Sequence, residues 1–289
     1  MARSWALTVA VLVCAACDAA PAASPRIDLV VQPDGVGFHI NVNDGFWLSS
    51  EPVFIQAGGQ LLKAGNGLTL LNHSGPTPGT DRVLGGFVEH TWVWAASGAV
   101  KLHMVTSARV FTNHPTINFT SSFRDGVDDF GFGKLGPDVW GRPATGWPSL
   151  RASPSLAKTL EHVTFVGDGD VSFGAGLGAA PGFNAGAAVG HFNASGDTLI
   201  MSSAASFLSS VMGCSDGVLS GGVQGTALAL PAGYSTSFVL HAGSGITEAF
   251  LRWGDVLLAA YGKPRAAPNS SVSLEYLGYS TTGPVGTHP

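Results

Sequence analysis

The chain has 289 residues, and only 11% of them are charged. About a quarter of the residues are charged in an average soluble protein, so uncharged polar side chains or glycans must cover much of this surface. A net charge of -5 at pH 7 and a sequence pI near 5.9 provide no basic patch, which excludes a typical nucleic-acid-binding protein.

The first residues have the layout of a secretory signal peptide. Arg3 supplies the positive charge, and an apolar run from Trp5 to Ala16 is followed by small residues. Cleavage after Ala19 and cleavage after Ala22 both fit, and we take residues 1–22 as the signal. The run is too short to span a bilayer, and no later segment is apolar for long enough. The sequence therefore predicts a secreted protein without a membrane span.

Removal of the signal would leave Cys214 as the only cysteine, because Cys14 and Cys17 lie within it. This excludes a disulfide framework and a cysteine-based metal site, and it favours a small buried thiol at Cys214. Cys17 also permits a lipoprotein signal, although Cys14 stands where that signal has an aliphatic residue.

Four asparagines lie in acceptor sequons for N-linked glycans: Asn72, Asn118, Asn193 and Asn269. Glycans at these positions would provide the solubility that a weakly charged surface lacks.

From residue 23 to residue 245 the chain consists of short β-like runs separated by Gly, Pro, Asn and Asp. Val88, His90, Trp92 and Trp94 alternate with Phe87, Glu89, Thr91 and Val93, so the two sets lie on opposite faces of a strand. The number of predicted strands is larger than in an immunoglobulin-sized domain. The pattern therefore predicts an all-β fold, a large two-sheet antiparallel β-sandwich. The predicted strands are 27–31, 36–42, 52–56, 68–72, 87–94, 100–111, 116–123, 160–166, 187–192, 198–202, 224–230 and 236–241, the last two joined by a turn at Pro231–Gly233.

A long stretch between residues 125 and 154 has little periodicity, and long loops in compact domains are often functional. Sugars present apolar C–H faces flanked by hydroxyls, so aromatic rings and charged hydrogen-bonding groups suit them. Asp138, Trp140, Arg142 and Trp147 form the predicted carbohydrate-binding set. In the alternative interpretation, both tryptophans fix the loop to the sandwich.

Other motifs favour structural explanations. The carboxylates of Asp125, Asp128 and Asp129 could bind a cation, but turn chemistry explains them as well. The Gly-x-Ser-x-Gly pattern at Gly213–Gly217 lacks the following helix that a nucleophile elbow requires, so a turn is favoured. His90 and His103 are interpreted as hydrogen-bonded within the sheet. We therefore predict no metal site and no cofactor.

One convincing amphipathic helix begins near Ile246. Its apolar residues recur at three- and four-residue spacing, Thr247 is the predicted N-cap, and Glu248 suits the first turn. Gly262 fits the C′ position, and Pro264 prevents the helix from continuing.

Three motifs around this helix carry a resemblance: Trp253-Gly254-Asp255, Tyr261-Gly262-Lys263 and Leu277-Gly278-Tyr279. In these the chain resembles secreted algal and protist proteins related to α-galactosidases and raffinose synthases. The resemblance implies an N-terminal β-sandwich, a linker helix and then a catalytic (β/α)₈ barrel.

After Tyr279 the sequence departs from that group, which continues with an aspartate- and tyrosine-rich segment. The barrel with the two catalytic aspartates is therefore expected to be missing, and no residue here is assigned a catalytic role. We expect a sandwich domain at 23–245, with the linker helix and the truncated start of a barrel at 246–289. The first hypothesis is a non-catalytic, carbohydrate-associated fragment of a glycosidase-like protein. The alternative is a free-standing secreted carbohydrate-binding or cell-surface module.

Overall fold

A computed structural model describes residues 25–96, 100–133, 141–165, 171–177 and 188–267. The described part contains eighteen strands and one helix. The strands are β1 (Ile27–Val31), β2 (Phe38–Val42), β3 (Gly45–Ser50), β4 (Phe54–Ala57), β5 (Gln60–Ala64), β6 (Gly67–Asp81), β7 (Gly85–Ala96), β8 (His103–Phe111), β9 (Thr116–Phe123), β10 (Thr145–Gly146), β11 (Ser149–Ala152), β12 (Glu161–Phe165), β13 (Val171–Ala175), β14 (Val189–Phe192), β15 (Asp197–Ala205), β16 (Ser210–Ser215), β17 (Val218–Val223) and β18 (Tyr234–Ser244), and the helix is α1 (Ile246–Ala260).

Two sheets of unequal width form the fold. The smaller sheet has the strand order β1-β2-β3-β11-β17-β16, and the larger has the order β10-β4-β5-β6-β7-β8-β9-β18-β15-β14-β12-β13. Neighbouring strands run antiparallel except for β5 and β6, which form a short parallel pair. This architecture confirms the predicted all-β sandwich.

The core between the sheets comes from alternating apolar side chains. On β2, Phe38, Ile40 and Val42 point inward and are at most 2% exposed. Trp92 and Trp94 of β7 are buried against them, as the period-two pattern predicted. Burial of these large rings provides much of the hydrophobic stabilisation of the sandwich.

Helix α1 packs on the outer face of the larger sheet. The indole N–H of Trp253 donates a hydrogen bond to Ser202 Oγ at 2.9 Å, and Ala249 is fully buried. The predicted N-cap at Thr247 is wrong, because the cap is Gly245, with φ 78° and no side-chain cap hydrogen bond. The prediction that Glu248 lies in the first turn is confirmed. The prediction of Gly262 at the C′ position is also confirmed, because it follows the C-cap Tyr261 and has a left-handed backbone with φ 60°.

The predicted strand at 224–230 is wrong. Its ends make only isolated bridges, one of them between Leu230 and Val127. The Tyr234 N–H still closes a turn onto the Pro231 carbonyl at 3.1 Å, but this turn does not join two neighbouring strands. Within the described part, no helix is long and apolar enough to cross a membrane.

Candidate functional site

A groove opens beside β1, at the edge of the smaller sheet. β1 pairs only with β2, so beyond it the inner face of β6, β7 and β8 is not covered by another strand. The groove has a volume of about 930 Å³, which lies within the range of small-molecule sites. It arises because the larger sheet extends past the smaller one.

Two stacked imidazoles line the floor of the groove, and a buried indole lies behind them. The imidazoles of His73 and His90 have centroids 5.7 Å apart and planes 4° apart. His73 also stacks on Trp92, with centroids 5.1 Å apart. The Trp92 indole N–H donates to the Gly35 carbonyl at 2.8 Å. This bond anchors the stack to the turn between β1 and β2.

Burial favours the uncharged form of both imidazoles. Desolvation lowers the pKa of His73 below its usual 6.5. The pKa of His90 is also lowered, chiefly by desolvation and further by the neighbouring His73. His73 Nε2 and His90 Nδ1 are buried and have no hydrogen-bond partner in the described structure. Both atoms are closed off from solvent, so they lie behind the surface of the groove and not open to it.

Gly75 allows β6 to approach His90 closely. Its φ is 119°, and an added Cβ would lie 2.5 Å from the Glu89 carbonyl oxygen and 3.0 Å from His90 Nδ1. Only glycine tolerates both the backbone conformation and this spacing. The main chain at Gly75 therefore packs closely against the His90 ring.

The walls of the groove combine apolar and polar side chains. Pro76, Val88 and Val110 line one side, and β1 lines the other. Arg26 forms an ion pair with Asp28 at 2.8 Å and lies 3.9 Å from the Asp44 carboxylate. The guanidinium at the rim thus lies beside two carboxylates and stays largely exposed.

Only two residues of the predicted carbohydrate-binding set, Arg142 and Trp147, lie within the described structure. Asp138 and Trp140 lie outside the described residues. Arg142 is exposed, with its guanidinium carbon 4.5 Å from the centre of the Phe132 ring. Trp147 is 3% exposed, and its ring contacts Phe38 edge-on. A binding role for this set stays a prediction, and the burial of Trp147 favours the alternative in which this ring fixes the loop.

The sequence analysis did not identify His73 as a candidate site residue. It interpreted His90 as hydrogen-bonded within the sheet and not as part of a groove. The alternation of His90 with Trp92 and Trp94 placed it on the inner face, but the uncovered floor depends on the unequal widths of the sheets. The sheet-bonded interpretation of His103 is also wrong. Its exposed ring lies 3.2 Å from the Asp125 carboxylate.

The weaker motifs have structural explanations. Asp216 and Gly217, with φ 53° and 73°, form the two-residue turn between β16 and β17, as expected of a tight hairpin. Asp129 lies in a turn with φ 51°. No group of three or more potential metal ligands occurs among the residues that the structure describes.

The comparisons with known proteins find likeness in fold only. No protein-family model matches the sequence, and no curated protein matches it. The fold is similar to the α-N-acetylgalactosaminidase NagBb from Bifidobacterium bifidum in complex with GalNAc, with a TM-score of 0.55 and 10% identity. A quadruple mutant of that enzyme gives a TM-score of 0.52, also at 10% identity. The first match covers 83% of this chain and the second 82%, and in both the chain spans 38% of the enzyme's length.

Proposed function

We propose that this chain is the carbohydrate-associated β-sandwich of a secreted, glycosidase-like protein, and that it binds glycans without cleaving them. The groove beside β1 is the observation that carries the proposal, because its lining combines the stacked imidazoles of His73 and His90 with polar residues such as Gln32 and Asn113. The likeness in fold to part of a glycosidase supports the same conclusion.

The groove suits the two-sided chemistry of a sugar ring. Apolar C–H faces pack against aliphatic and ring surfaces, which Pro76, Val88 and the imidazoles provide. Hydroxyl groups need donors and acceptors, which Gln32, Thr112 and Asn113 in the lining provide. A saccharide is therefore a better fit than a purely apolar ligand, which would leave these polar groups without partners.

The carboxylates of the groove support the non-catalytic part of the proposal. A retaining glycosidase uses two carboxyl groups about 5–5.5 Å apart. Among the described residues that line the groove, Asp28 is the only carboxylate, and it is paired with Arg26. A nucleophile and a separate acid–base group are thus not provided there.

The free-standing module is the second candidate, and the packing of α1 favours it. Trp253 and Ala249 bind the helix to the larger sheet, and the Tyr261 hydroxyl donates to the Ala204 carbonyl. A helix held in this way does not require another domain for its position.

A glycan array with the secreted full-length chain tests the proposal, together with hydrolysis assays on 4-nitrophenyl α-galactoside and 4-nitrophenyl α-N-acetylgalactosaminide. We expect glycan binding and no turnover. A chain that binds no glycan would overturn the carbohydrate function, and turnover above background would overturn the non-catalytic role.

Light scattering and limited proteolysis separate the two candidates. A monomer with a protected α1 supports the free-standing module, whereas rapid cleavage within α1 supports a part of a larger protein.

A further inference from the structure

The outer face of the larger sheet carries an exposed apolar patch beside α1. The patch consists of Phe165 on β12 and of Val171 and Phe173 on β13, which are 40%, 49% and 67% exposed. β13 is an edge strand of this sheet, and the structure describes no strand on its other side. An apolar edge strand of this kind is a typical place for another segment of chain to bind.

The strand pairing places this patch on the same face as α1. Side chains of directly paired residues lie on one face of an antiparallel sheet, and the register pairs Phe165 with Val171. Phe173 lies two residues along β13 and therefore shares this face. The Phe165 ring meets the Phe250 ring of α1 edge-on, with centroids 5.6 Å apart. The patch thus continues the apolar surface on which α1 is docked.

β13 lacks the features that protect an edge strand from binding another strand. Its sequence VSFGA contains no charged residue and no proline, and its pairing with β12 has no register shift. Charged side chains, prolines and bulges are common means of protection. Alternate main-chain N–H and C=O groups of β13 point away from β12, so they are oriented toward a further strand.

The chain that follows α1 turns back along the helix. The guanidinium of Arg265 donates to the Asp255 carboxylate at 2.6 Å and to the Leu251 carbonyl at 3.1 Å. Leu251 lies in the second turn of α1, next to Phe250 of the patch side. The five residues 268–272 span up to about 18 Å when extended, which exceeds three strand spacings of about 4.8 Å. The chain after residue 272 can therefore reach the free edge of β13.

Residues 272–277 have the pattern that this edge requires. They read VSLEYL, and Val272, Leu274 and Tyr276 occupy alternate positions. An extended segment presents alternate side chains on one face. The apolar residues of β13 alternate in the same way, at Val171 and Phe173. A strand at 272–277 would therefore place its apolar side chains beside those of β13.

We infer that residues 272–277 of this chain bind as a further strand along the free edge of β13 and cover the apolar patch. The binding is intramolecular, because the chain that returns over α1 holds the segment at a high effective concentration. Its apolar side chains pack on Phe165 and Phe173. The inference does not depend on the carbohydrate function proposed above.

Hydrogen exchange of the full-length chain tests the inference. The amides of β13 that face away from β12 exchange quickly at a free edge, whereas a further strand protects them. We expect slow exchange of these amides in the wild-type chain. Leu274→Ser removes an apolar contact and should accelerate their exchange about tenfold. Glu275→Ser is the matched control on the opposite face of the segment and should leave the rates unchanged.

A second pair of variants tests the patch itself. Phe173→Ser should release the segment, so that chymotrypsin cleaves after Tyr276 about tenfold faster than in the wild-type chain. Leu208→Ser is the control, because Leu208 is an apolar residue that is 99% exposed between β15 and β16, outside the patch. It should leave the cleavage rate unchanged. Protected amides in β7 show that each variant is folded, and if Phe173→Ser does not fold, the exchange of Leu274→Ser decides.

Three results would overturn the inference. The first is fast exchange of the outward-facing β13 amides in the wild-type chain. The second is slow exchange that persists in Leu274→Ser, which would assign the edge to another part of the chain. The third is protection that increases with protein concentration, together with a dimer in sedimentation, which would assign the edge to a second copy.

Discussion

The indole N–H of Trp147 donates a hydrogen bond to the main-chain carbonyl of Ser107 at 3.0 Å. The ring also meets Trp92 edge-on, with centroids 5.0 Å apart. Trp147 therefore connects the segment before β11 to the larger sheet.

Replacement of this buried ring is expected to act on stability. Trp147→Ala should lower the free energy of unfolding by about 3–5 kcal/mol, because it leaves a large cavity in the core. Arg142→Ala is the control, since the exposed guanidinium contacts only Phe132 among the described rings, and it should cost about 1 kcal/mol or less. Urea unfolding followed by tryptophan fluorescence measures both. A Trp147→Ala variant of unchanged stability that no longer binds glycan would instead support the predicted binding role.

The period-two pattern was sufficient to predict the fold class. Inner positions such as Phe38 and Trp92 alternate with polar neighbours, and the predicted strands at 27–31 and 116–123 match β1 and β9. Strands β16 and β17 were missed. Their glycines, such as Gly221 and Gly222, fit against Phe238 and Thr145, so tertiary contact rather than strand propensity determines them.

The candidate site could not be predicted because it depends on long-range pairing. His73 and His90 come together through the antiparallel pairing of β6 with β7, and the register is irregular at that point. The groove depends further on β1 being an edge strand. Neither the register nor the strand order can be read from local sequence.

The docking of α1 depends on the absence of a side chain at Gly243. A Cβ at this position would lie 2.5 Å from the Ala249 Cβ. Gly243→Ala should therefore displace the helix, at a cost of about 1–3 kcal/mol. Hydrogen exchange of the α1 amides should become faster.

Gly254→Ala is the matched control within α1. The nearest heavy atom to an added Cβ is Arg265 Nη2 at 3.9 Å, so no clash arises. Alanine should instead stabilise the helix by up to about 1 kcal/mol. Unchanged exchange in Gly243→Ala, or destabilisation by Gly254→Ala, would contradict this account of the packing.

The predicted glycosylation sites differ in accessibility. Asn72 is exposed on β6, whereas the Asn118 side-chain oxygen is buried beside a cavity of about 340 Å³ under α1. A glycan on Asn118 would have to leave through this cavity and would oppose the docking of the helix. When the chain is secreted from a eukaryotic host, Asn72→Gln should therefore carry one glycan fewer than the wild-type chain, and Asn118→Gln should carry the same number. The mass shift on treatment with peptide-N-glycosidase measures this. A glycan attached to Asn118 in folded material would show that the helix does not cover that strand.

Two buried histidines should make the fold sensitive to acid. Burial lowers the pKa of His191 to about 3, and burial, with His114 and Arg252, lowers the pKa of His241 to about 4. In the unfolded chain both imidazoles take up a proton below about pH 6.5, whereas the folded protein resists this until the lower values. The free energy of unfolding should therefore fall as the pH decreases from about 6.5 to about 4, by about 1.4 kcal/mol per pH unit for each histidine.

Urea midpoints measured between pH 7 and pH 5 test this. His241→Gln keeps a group that can hydrogen-bond Thr116, the present partner of the ring at 2.8 Å, and it should remove the part of the slope that His241 contributes. A midpoint independent of pH in the wild-type chain would mean that neither imidazole is held neutral by burial.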